Sequence, residues 1–301
     1  MARSGRNGPQ AARAEAPRAE AARARIAAQQ AAARRAEIRR RTFIAGGAVV
    51  VVLAIVLALV VVKLRSGTSS AGSGPVTGTA LPASVIRDVA RVPASTLAAV
   101  GAGSVPSTVR TPVTAISGTP LTSGGKPEML YIGAEFCPYC AAMRWSMAVA
   151  LSRFGTLSPL RGIHSSSTDA YPHTATLTFY KSSYQSSYLA FTPVENETID
   201  HAPLQSTTPA QQRIWNKYDP DNYPFIDVGN KYMIGVIYNP QVLHGKTWSQ
   251  IAAALRDPSS PVAQGADGAA NYLTAAICKV TSESPASVCA SPAIAALQGK
   301  L

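Results

Sequence analysis

The sequence is poor in the residues that bind metals and haem. Among 301 residues it has four histidines and four cysteines, and only Cys137 and Cys140 lie close together. Structural zinc usually needs a second close cysteine pair or histidines, and covalent haem needs a histidine where Ala141 stands. Cys278 and Cys289, with ten residues between them, do not supply that second pair. We therefore predict no cofactor and no metal site, with zinc as the alternative that a lone CxxC pair leaves open.

The chain also lacks a basic surface beyond its N-terminus. Of the formal net charge of +12, residues 1–42 carry +8, because eleven arginines there face only three glutamates. Residues 66–301 contain fifteen basic and thirteen acidic side chains, without a basic stripe interleaved with aromatic residues. We therefore predict no nucleic-acid binding by the main domain. Residues 1–42 have too few large apolar side chains to build a core, which predicts a solvated basic cytoplasmic tail.

Residues 43–62 have no polar side chain, and this absence predicts one transmembrane helix. Twenty residues at the helical rise match a hydrocarbon core of about 30 Å, and a buried soluble helix rarely stays apolar on every face for so long. Three arginines at 39–41 outnumber Lys63 and Arg65, which places the N-terminus in the cytoplasm. The arginines also resemble part of a twin-arginine signal, which leaves the export route open. We expect an uncleaved, single-pass anchor in the cell membrane and an extracytoplasmic main domain.

The remaining boundaries follow from composition and periodicity. Residues 63–82 are rich in Gly, Ser and Thr, which predicts a flexible linker before a domain of residues 83–301. Periodicity then predicts two short helices, a hairpin that includes a strand at 111–116, a strand, a helix at the CxxC pair, two strands, a helix, two strands and two helices. The last helix is expected at about residues 268–279. This order predicts an α/β (α+β) fold with a central mixed sheet flanked by helices and a C-terminal helical extension.

The CxxC pair lies between a predicted strand at 129–132 and a predicted helix. Cysteines three residues apart lie on one side of a helix's first turn, where the first can face free N–H groups and the helix dipole. Pro138 suits this position because its missing N–H costs least there. Such surroundings lower a thiol pKa to about 3.5–7.5. We therefore predict thiol-disulfide chemistry at Cys137 and Cys140, with a purely structural disulfide as the alternative.

The residues Ala-Glu-Phe-Cys-Pro-Tyr-Cys at 134–140 and the element order over residues 111–257 resemble the thioredoxin superfamily. Cys-Pro-Tyr-Cys is the pair found in glutaredoxins. The resemblance implies a thioredoxin-like fold in which Pro224 is a cis proline facing the dithiol. It also implies that Cys137 attacks the substrate disulfide and that Cys140 resolves the mixed disulfide. The residues implied in substrate binding are Phe136, Pro138, Tyr139, Tyr223 and Pro224.

The chain departs from thioredoxins in two places. Tyr131 stands where thioredoxins keep a buried acid, so proton transfer to Cys140 would need another group. Glu135 and His244 are the candidates, although Glu135 matches a surface position in the superfamily. The segment before Pro224 is also longer than in thioredoxins, in part because of a loop at residues 196–203 that could shape a partner surface.

A second resemblance covers residues 131–155, 224–227 and 276–278. These residues resemble a prokaryotic family described only as a domain of unknown function, a likeness that supports the fold and the anchor but implies no activity. Cys278 and Cys289 are predicted to form a structural disulfide worth about 3 kcal/mol. The alternative is a relay that passes electrons between the CxxC pair and a membrane partner.

Two functional hypotheses follow. The first is a membrane-anchored, extracytoplasmic thiol-disulfide oxidoreductase that acts on exported protein thiols or disulfides, with a membrane redox partner as a candidate. The second is a non-enzymatic thioredoxin-like binding or scaffold module. Its surface would use Tyr180, Tyr184, Tyr188 and Phe191.

Overall fold

The computed structural model describes residues 77–104 and 112–301 of the chain. The chain divides into two units, residues 1–73 and 74–301, and all described residues belong to the second. The predicted basic tail at 1–42, the predicted span at 43–62 and most of the predicted linker therefore lie outside the described residues. Within the described residues, none of the helices has both the length and the apolar character needed to cross a bilayer.

Strands and helices are interspersed along the described chain, and the helices from residue 248 onward follow the last strand. The strands are β1 Thr79–Ala80, β2 Thr114–Ala115, β3 Thr122–Ser123, β4 Lys126–Gly133, β5 Gly155–Ser158, β6 Arg161–His164, β7 Ala175–Thr178, β8 Ser183–Ser186, β9 Ala190–Glu195, β10 Phe225–Val228 and β11 Tyr232–Ile234. The helices are α1 Ala83–Ala90, α2 Ala94–Val100, α3 Pro138–Ser152, α4 Pro209–Tyr218, α5 Trp248–Ala254, α6 Pro261–Val280, α7 Ala286–Cys289 and α8 Pro292–Gln298, with a 3-10 helix at Pro240–Leu243.

A mixed sheet forms the centre of the fold, and β4 lies in its middle. β9 pairs with β4 in parallel, and β10 pairs with β4 antiparallel. β11 and then β2 extend the sheet beyond β10, while β3 forms a hairpin with β4 through the turn at Gly124 and Gly125. Two smaller sheets, β1-β6-β7 and β5-β8, complete the strand pairing of the described residues. The predicted mixed sheet is therefore confirmed.

Alternate residues of β4 face two different helical layers. Met129 and Tyr131 belong to the core that includes side chains of α3 and α6, whereas Leu130 and Ile132 pack with Trp215 of α4. This alternation is the two-residue period of an extended strand. Because both faces are covered, β4 is a continuous apolar run after residue 128 rather than an alternating one. Helices therefore flank the sheet on both faces, as predicted.

Composition places the start of the folded domain at residue 83, but the structure has folded residues before that position. β1 pairs antiparallel with β6, and Leu81 is buried. The predicted linker at 63–82 thus overlaps the folded part at its end. The physical reason is that a two-residue strand of Thr and Ala carries no hydrophobic pattern, so its pairing partner decides its conformation.

Candidate active site

The two cysteines of the CxxC pair lie where β4 passes into α3. Cys137 is the N-cap residue of α3, Pro138 occupies the first helical position and Cys140 lies in the first turn. The sulfur of Cys137 accepts the backbone N–H of Cys140 at 3.3 Å, as the oxygen of a capping Ser or Asp would. Both cysteines are free thiols. The structure thus places both sulfurs at the helix start, where the sequence predicts them.

The two thiols differ in burial and in acidity. Cys137 is 5% exposed, whereas Cys140 is not exposed at all. The hydrogen bond from the Cys140 thiol, together with the Cys140 backbone N–H and the charge of Arg144, lowers the pKa of the Cys137 thiol against the effect of burial. Burial raises the pKa of the Cys140 thiol well above its ordinary value. Cys137 is therefore the thiol that ionises first.

Aromatic side chains surround the dithiol. Phe136, Tyr139 and Tyr223 pack against the small cluster that contains the two cysteines. The peptide bond between Tyr223 and Pro224 is cis, and β10 follows directly after it. Because β10 runs antiparallel to β4, its first residues lie beside the last residues of β4. All five residues predicted to bind substrate, buried Pro138 included, therefore meet at the same end of the sheet.

The loop at residues 196–203 forms one wall of this site. The Asn196 amide donates to the Tyr223 hydroxyl at 2.9 Å. The His201 ring stacks on Phe136 with ring centroids 4.0 Å apart. The Tyr223 ring also stacks on Trp215, with centroids 5.3 Å apart. The segment that the sequence sets apart from thioredoxins thus holds two of the aromatic rings next to Cys137.

A groove of about 740 Å³ continues from this wall. It is lined by the 165–168 loop, by His201 and by Trp248, among others. The backbone N–H of Ser166 donates to the carbonyl oxygen of Phe136 at 2.8 Å. Two residues that line the groove, Ser166 and His201, therefore contact Phe136, the residue before Cys137. A volume of this size accommodates a small ligand or a short peptide segment.

One helical turn beyond the dithiol lies a buried ion pair that the sequence reasoning missed. Arg144 on α3 donates from Nε to Oε1 of Glu195 at 2.9 Å and from Nη2 to Oε2 at 2.6 Å. Neither side chain is exposed to solvent. Glu195 is the last residue of β9 and pairs with Gly133 of β4, so the ion pair joins α3 to the sheet. The available signal was an arginine within an apolar helix, since a buried charge needs a partner.

Tyr131 and the two candidates for proton transfer, Glu135 and His244, have different surroundings. Tyr131 is fully buried, and burial raises its pKa well above its ordinary value, with Cys140 among its neighbours. Glu135 is only 1% exposed, burial raises its pKa, and the Thr178 hydroxyl donates to it at 2.6 Å. The expectation of a surface position for Glu135 is therefore wrong. His244 is exposed at the end of the 3-10 helix and is not among the described rings that pack around the dithiol.

Cys278 of α6 and Cys289 of α7 form a disulfide bond, with their Cα atoms 5.6 Å apart. Glu283 lies close to both sulfurs, and in the described part of the chain this is the only group of three potential ligands close enough for a metal ion. Because the two sulfurs are bonded to each other, a single carboxylate is left to bind a metal. The pair therefore acts as a covalent link between the last long helix and the C-terminal segment.

Comparison with known proteins places the chain in one family. The sequence profile of DUF929, described as a domain of unknown function, matches residues 112–279. Neither the curated proteins nor the solved structures include a match. The matched residues cover more than half of the chain and contain Cys137, Cys140, Arg144, Glu195 and Pro224. The chain therefore belongs to the DUF929 family.

Proposed function

We propose that the protein is a thiol-disulfide oxidoreductase whose catalytic residues are Cys137 and Cys140. The observation that carries the proposal is the position of Cys137 at the N-cap of α3, where its sulfur accepts a backbone N–H and its pKa is lowered. Cys140 is fully buried and keeps its proton. A thiolate that is slightly exposed, next to a thiol that is not exposed at all, suits attack on a disulfide followed by intramolecular release.

The proposed exchange has two steps. The Cys137 thiolate attacks one sulfur of the substrate disulfide, which forms a mixed disulfide and releases the other sulfur as a thiolate that takes up a proton. Cys140 then loses its proton and attacks the Cys137 sulfur, which releases the second substrate thiolate for protonation. Two electrons pass from the dithiol to the substrate, and the reverse sequence oxidises a substrate dithiol.

A thioredoxin-like fold is part of the proposal. It is supported by the position of the dithiol between β4 and α3 and by the parallel and antiparallel neighbours of β4. The cis bond before Pro224, at the start of the strand next to β4, also supports it. Because Tyr223 packs against the cysteines, Tyr223 and Pro224 are suited to position a substrate disulfide beside Cys137.

The proposed substrates are the thiols or disulfides of exported proteins. The apolar residues 43–62 and the basic residues before them support a single membrane anchor with the dithiol outside the cytoplasm. The Cys278–Cys289 disulfide supports an oxidising compartment, since such bonds persist mainly outside the cytosol. A membrane protein that exchanges electrons with the dithiol is the redox partner that this setting favours.

The scaffold hypothesis has less support. Two of the four aromatic residues that would form its surface, Tyr184 and Phe191, pack against the core, and the Tyr184 hydroxyl donates to the Leu151 carbonyl oxygen at 2.9 Å. By contrast, the side chain of Tyr188 is 37% exposed. Side chains that pack inward offer little surface to a partner.

Equilibration with glutathione tests the proposed function. The full chain is incubated in mixtures of reduced and oxidised glutathione, its thiols are trapped, and its mass is measured. We expect Cys137 and Cys140 to change together in one two-electron transition while Cys278 and Cys289 stay oxidised. Cys137→Ser should abolish this transition, whereas the scaffold hypothesis requires only that the variant still bind its partner. A CxxC pair that never exchanges with glutathione contradicts the proposal.

A further inference from the structure

The Arg144–Glu195 ion pair occupies a position that stability alone does not explain. Both side chains are removed from water, and apolar residues of similar volume often stabilise a core at least as well as a buried ion pair does. The pair lies next to the dithiol and not elsewhere in the α3 interface. This location suggests that its charges act on the cysteines.

The guanidinium of Arg144 is held at the CxxC turn by several contacts. Arg144 follows Cys140 by four residues, so both side chains lie on one face of α3. Its Nη2 donates to the carbonyl oxygen of Ala134 at 2.7 Å, and the same oxygen accepts the backbone N–H of Cys137 at 3.2 Å. The guanidinium carbon lies 5.9 Å from the centre of the Tyr131 ring. The sheet and the helix together therefore fix the position of this charge.

The charge of Arg144 acts on both thiols. Burial alone would lower the pKa of Arg144, but Glu195 raises it well above its ordinary value, so the guanidinium stays charged. At Cys137 this charge adds to the hydrogen bond from Cys140 in lowering the thiol pKa. At Cys140 burial raises the thiol pKa, and the charge opposes that rise. Cys140 does not lie at the N-cap, the position that supports a thiolate at Cys137. The ionisation of the Cys140 thiol therefore depends more on the charge of Arg144.

One nitrogen of Arg144 is unpaired. Its Nη1 has no hydrogen-bond partner among the residues that the structure describes. Buried donors without an acceptor are uncommon and need an explanation. Arg144 therefore keeps an unused donor within the buried site.

We propose that Arg144, oriented by Glu195, is a positioning residue for the second step of the exchange, in which it stabilises the Cys140 thiolate. This inference rests on the proposed function. Cys140 gives its proton to water or to the first substrate thiolate, the Cys137–Cys140 bond forms, and the bond between Cys137 and the substrate breaks. Where thioredoxins have a buried acid this chain has Tyr131, and the fixed cation stabilises the Cys140 thiolate without itself accepting the proton.

The variants must separate the effect of a lost charge on the reaction from the effect of a destabilised fold. Removing Arg144 alone would leave Glu195 as a buried unpaired charge, which is strongly destabilising. The double variant Arg144→Met/Glu195→Gln removes both charges and roughly keeps their volume. Arg144→Lys keeps the positive charge but loses the bidentate hydrogen bonds to Glu195. Arg153→Met is the matched control, because Arg153 lies at the other end of α3, about 20 Å along the helix axis from Cys140.

The test is the rapid reaction of the reduced full chain with one equivalent of dithiobis(nitrobenzoate), an aromatic disulfide that releases one coloured thiolate in each step. The first release reports the attack by Cys137, and the second reports the attack by Cys140. In the double variant we expect the second release to slow about tenfold or more. The reason is that a nearby positive charge lowers the pKa of an acidic group by about one unit or more, and its loss reduces the fraction of Cys140 thiolate accordingly. The first release should slow less. Arg144→Lys should retain most of the second rate, and Arg153→Met should match the wild type in both.

Three results would overturn the assignment of Arg144. These are a second release at the wild-type rate in the double variant, equal slowing of both releases, and equal slowing in Arg153→Met. If the wild-type protein gives no first release, the proposed function fails instead. The two failures are therefore distinguishable.

Discussion

At the scale of single residues, burial decides which acidic groups in this protein keep their protons. Burial raises the pKa of Glu135 above its ordinary value and raises that of Asp267 to about 8. Both carboxyl oxygens of Asp267 lack a hydrogen-bond partner among the described residues. Asp267 is therefore protonated in the folded protein at neutral pH, whereas the equally buried Glu195 has Arg144 as its partner.

Asp267 should make the folded state less stable as the pH rises. In the unfolded chain its carboxyl ionises near pH 4, whereas its folded pKa is about 8. Between these values the folded state binds more protons, so the free energy of unfolding falls as the pH increases. We expect that from about pH 5 to about pH 8 the wild type loses about 3.5 kcal/mol more than Asp267→Asn does, measured by denaturant unfolding.

Asp221→Asn is the control for that measurement. Asp221 is exposed and has a positive φ of 60°, a conformation that Asn also tolerates. Its replacement should leave the pH dependence unchanged. If Asp267→Asn shows the same pH dependence as the wild type, Asp267 does not titrate in this range and the account of its burial is wrong.

The sequence predicts the cysteines of the site better than it predicts the charges around them. Cys137 and Cys140 are three residues apart, so their placement depends on one local turn. Arg144 and Glu195 are 51 residues apart in sequence, and only the parallel pairing of β4 with β9 brings them together. A partner at that distance cannot be identified from a local pattern.

At the scale of elements, strong periodicity and capping made several helices and strands predictable. α4 begins after Thr208, whose side chain forms a capping box with Gln211. The sequence predicts this helix at about residues 207–218, so its predicted and observed starts differ by two residues. In contrast, β5, β6 and β8 are four-residue strands without a long apolar run, and pairing rather than sequence pattern defines them.

The last long helix was predicted too short. α6 begins at Pro261 rather than near Gly268, and Ser260 caps it by accepting the backbone N–H of Ala263. Its first turns bury small residues rather than large apolar ones, so they lack the usual hydrophobic stripe. At Gly268 an added Cβ would lie 2.9 Å from the carbonyl oxygen of Ala102, which shows how closely α6 approaches the chain after α2. The predicted strand at 111–116 shows the opposite difference, because only Thr114–Ala115 forms a strand among the described residues of this segment.

The disulfide between α6 and α7 should stabilise the fold without taking part in the exchange. Replacing Cys278 and Cys289 with alanine removes a short covalent loop, and chain-entropy estimates put the loss at about 3 kcal/mol. We therefore expect a lower melting temperature in the full chain. The two releases of coloured thiolate from dithiobis(nitrobenzoate) should keep their wild-type rates.

Turnover with a reduced exported protein as substrate checks the relay hypothesis in the same variant. Unchanged turnover with lower thermal stability would exclude a relay through Cys278 and Cys289. Lost turnover with unchanged thermal stability would contradict the structural role assigned to this disulfide.

At the scale of the whole molecule, the fold gathers the site from three distant segments. The β4–α3 junction supplies Cys137 and Cys140, and the 196–203 loop supplies Asn196 and His201. The segment directly before β10 supplies Pro224. The sequence predicts the first segment from the CxxC pair and the third segment from Pro224. It does not predict the stacking of His201 on Phe136, which depends on how the loop folds back. The membrane anchor at 43–62 stays a prediction.

We infer that Cys137 is the reactive thiol of the CxxC pair. Site-resolved alkylation tests it most directly: the reduced full chain is treated with iodoacetamide over a range of pH, and the modification of each cysteine is measured by peptide mass spectrometry. We predict that Cys137 reacts first, with a midpoint below the pKa of about 8.5 of a free cysteine, and that Cys140 stays unmodified over the same range. Modification of Cys140 before Cys137, or a Cys137 midpoint at or above that of a free cysteine, would contradict the account.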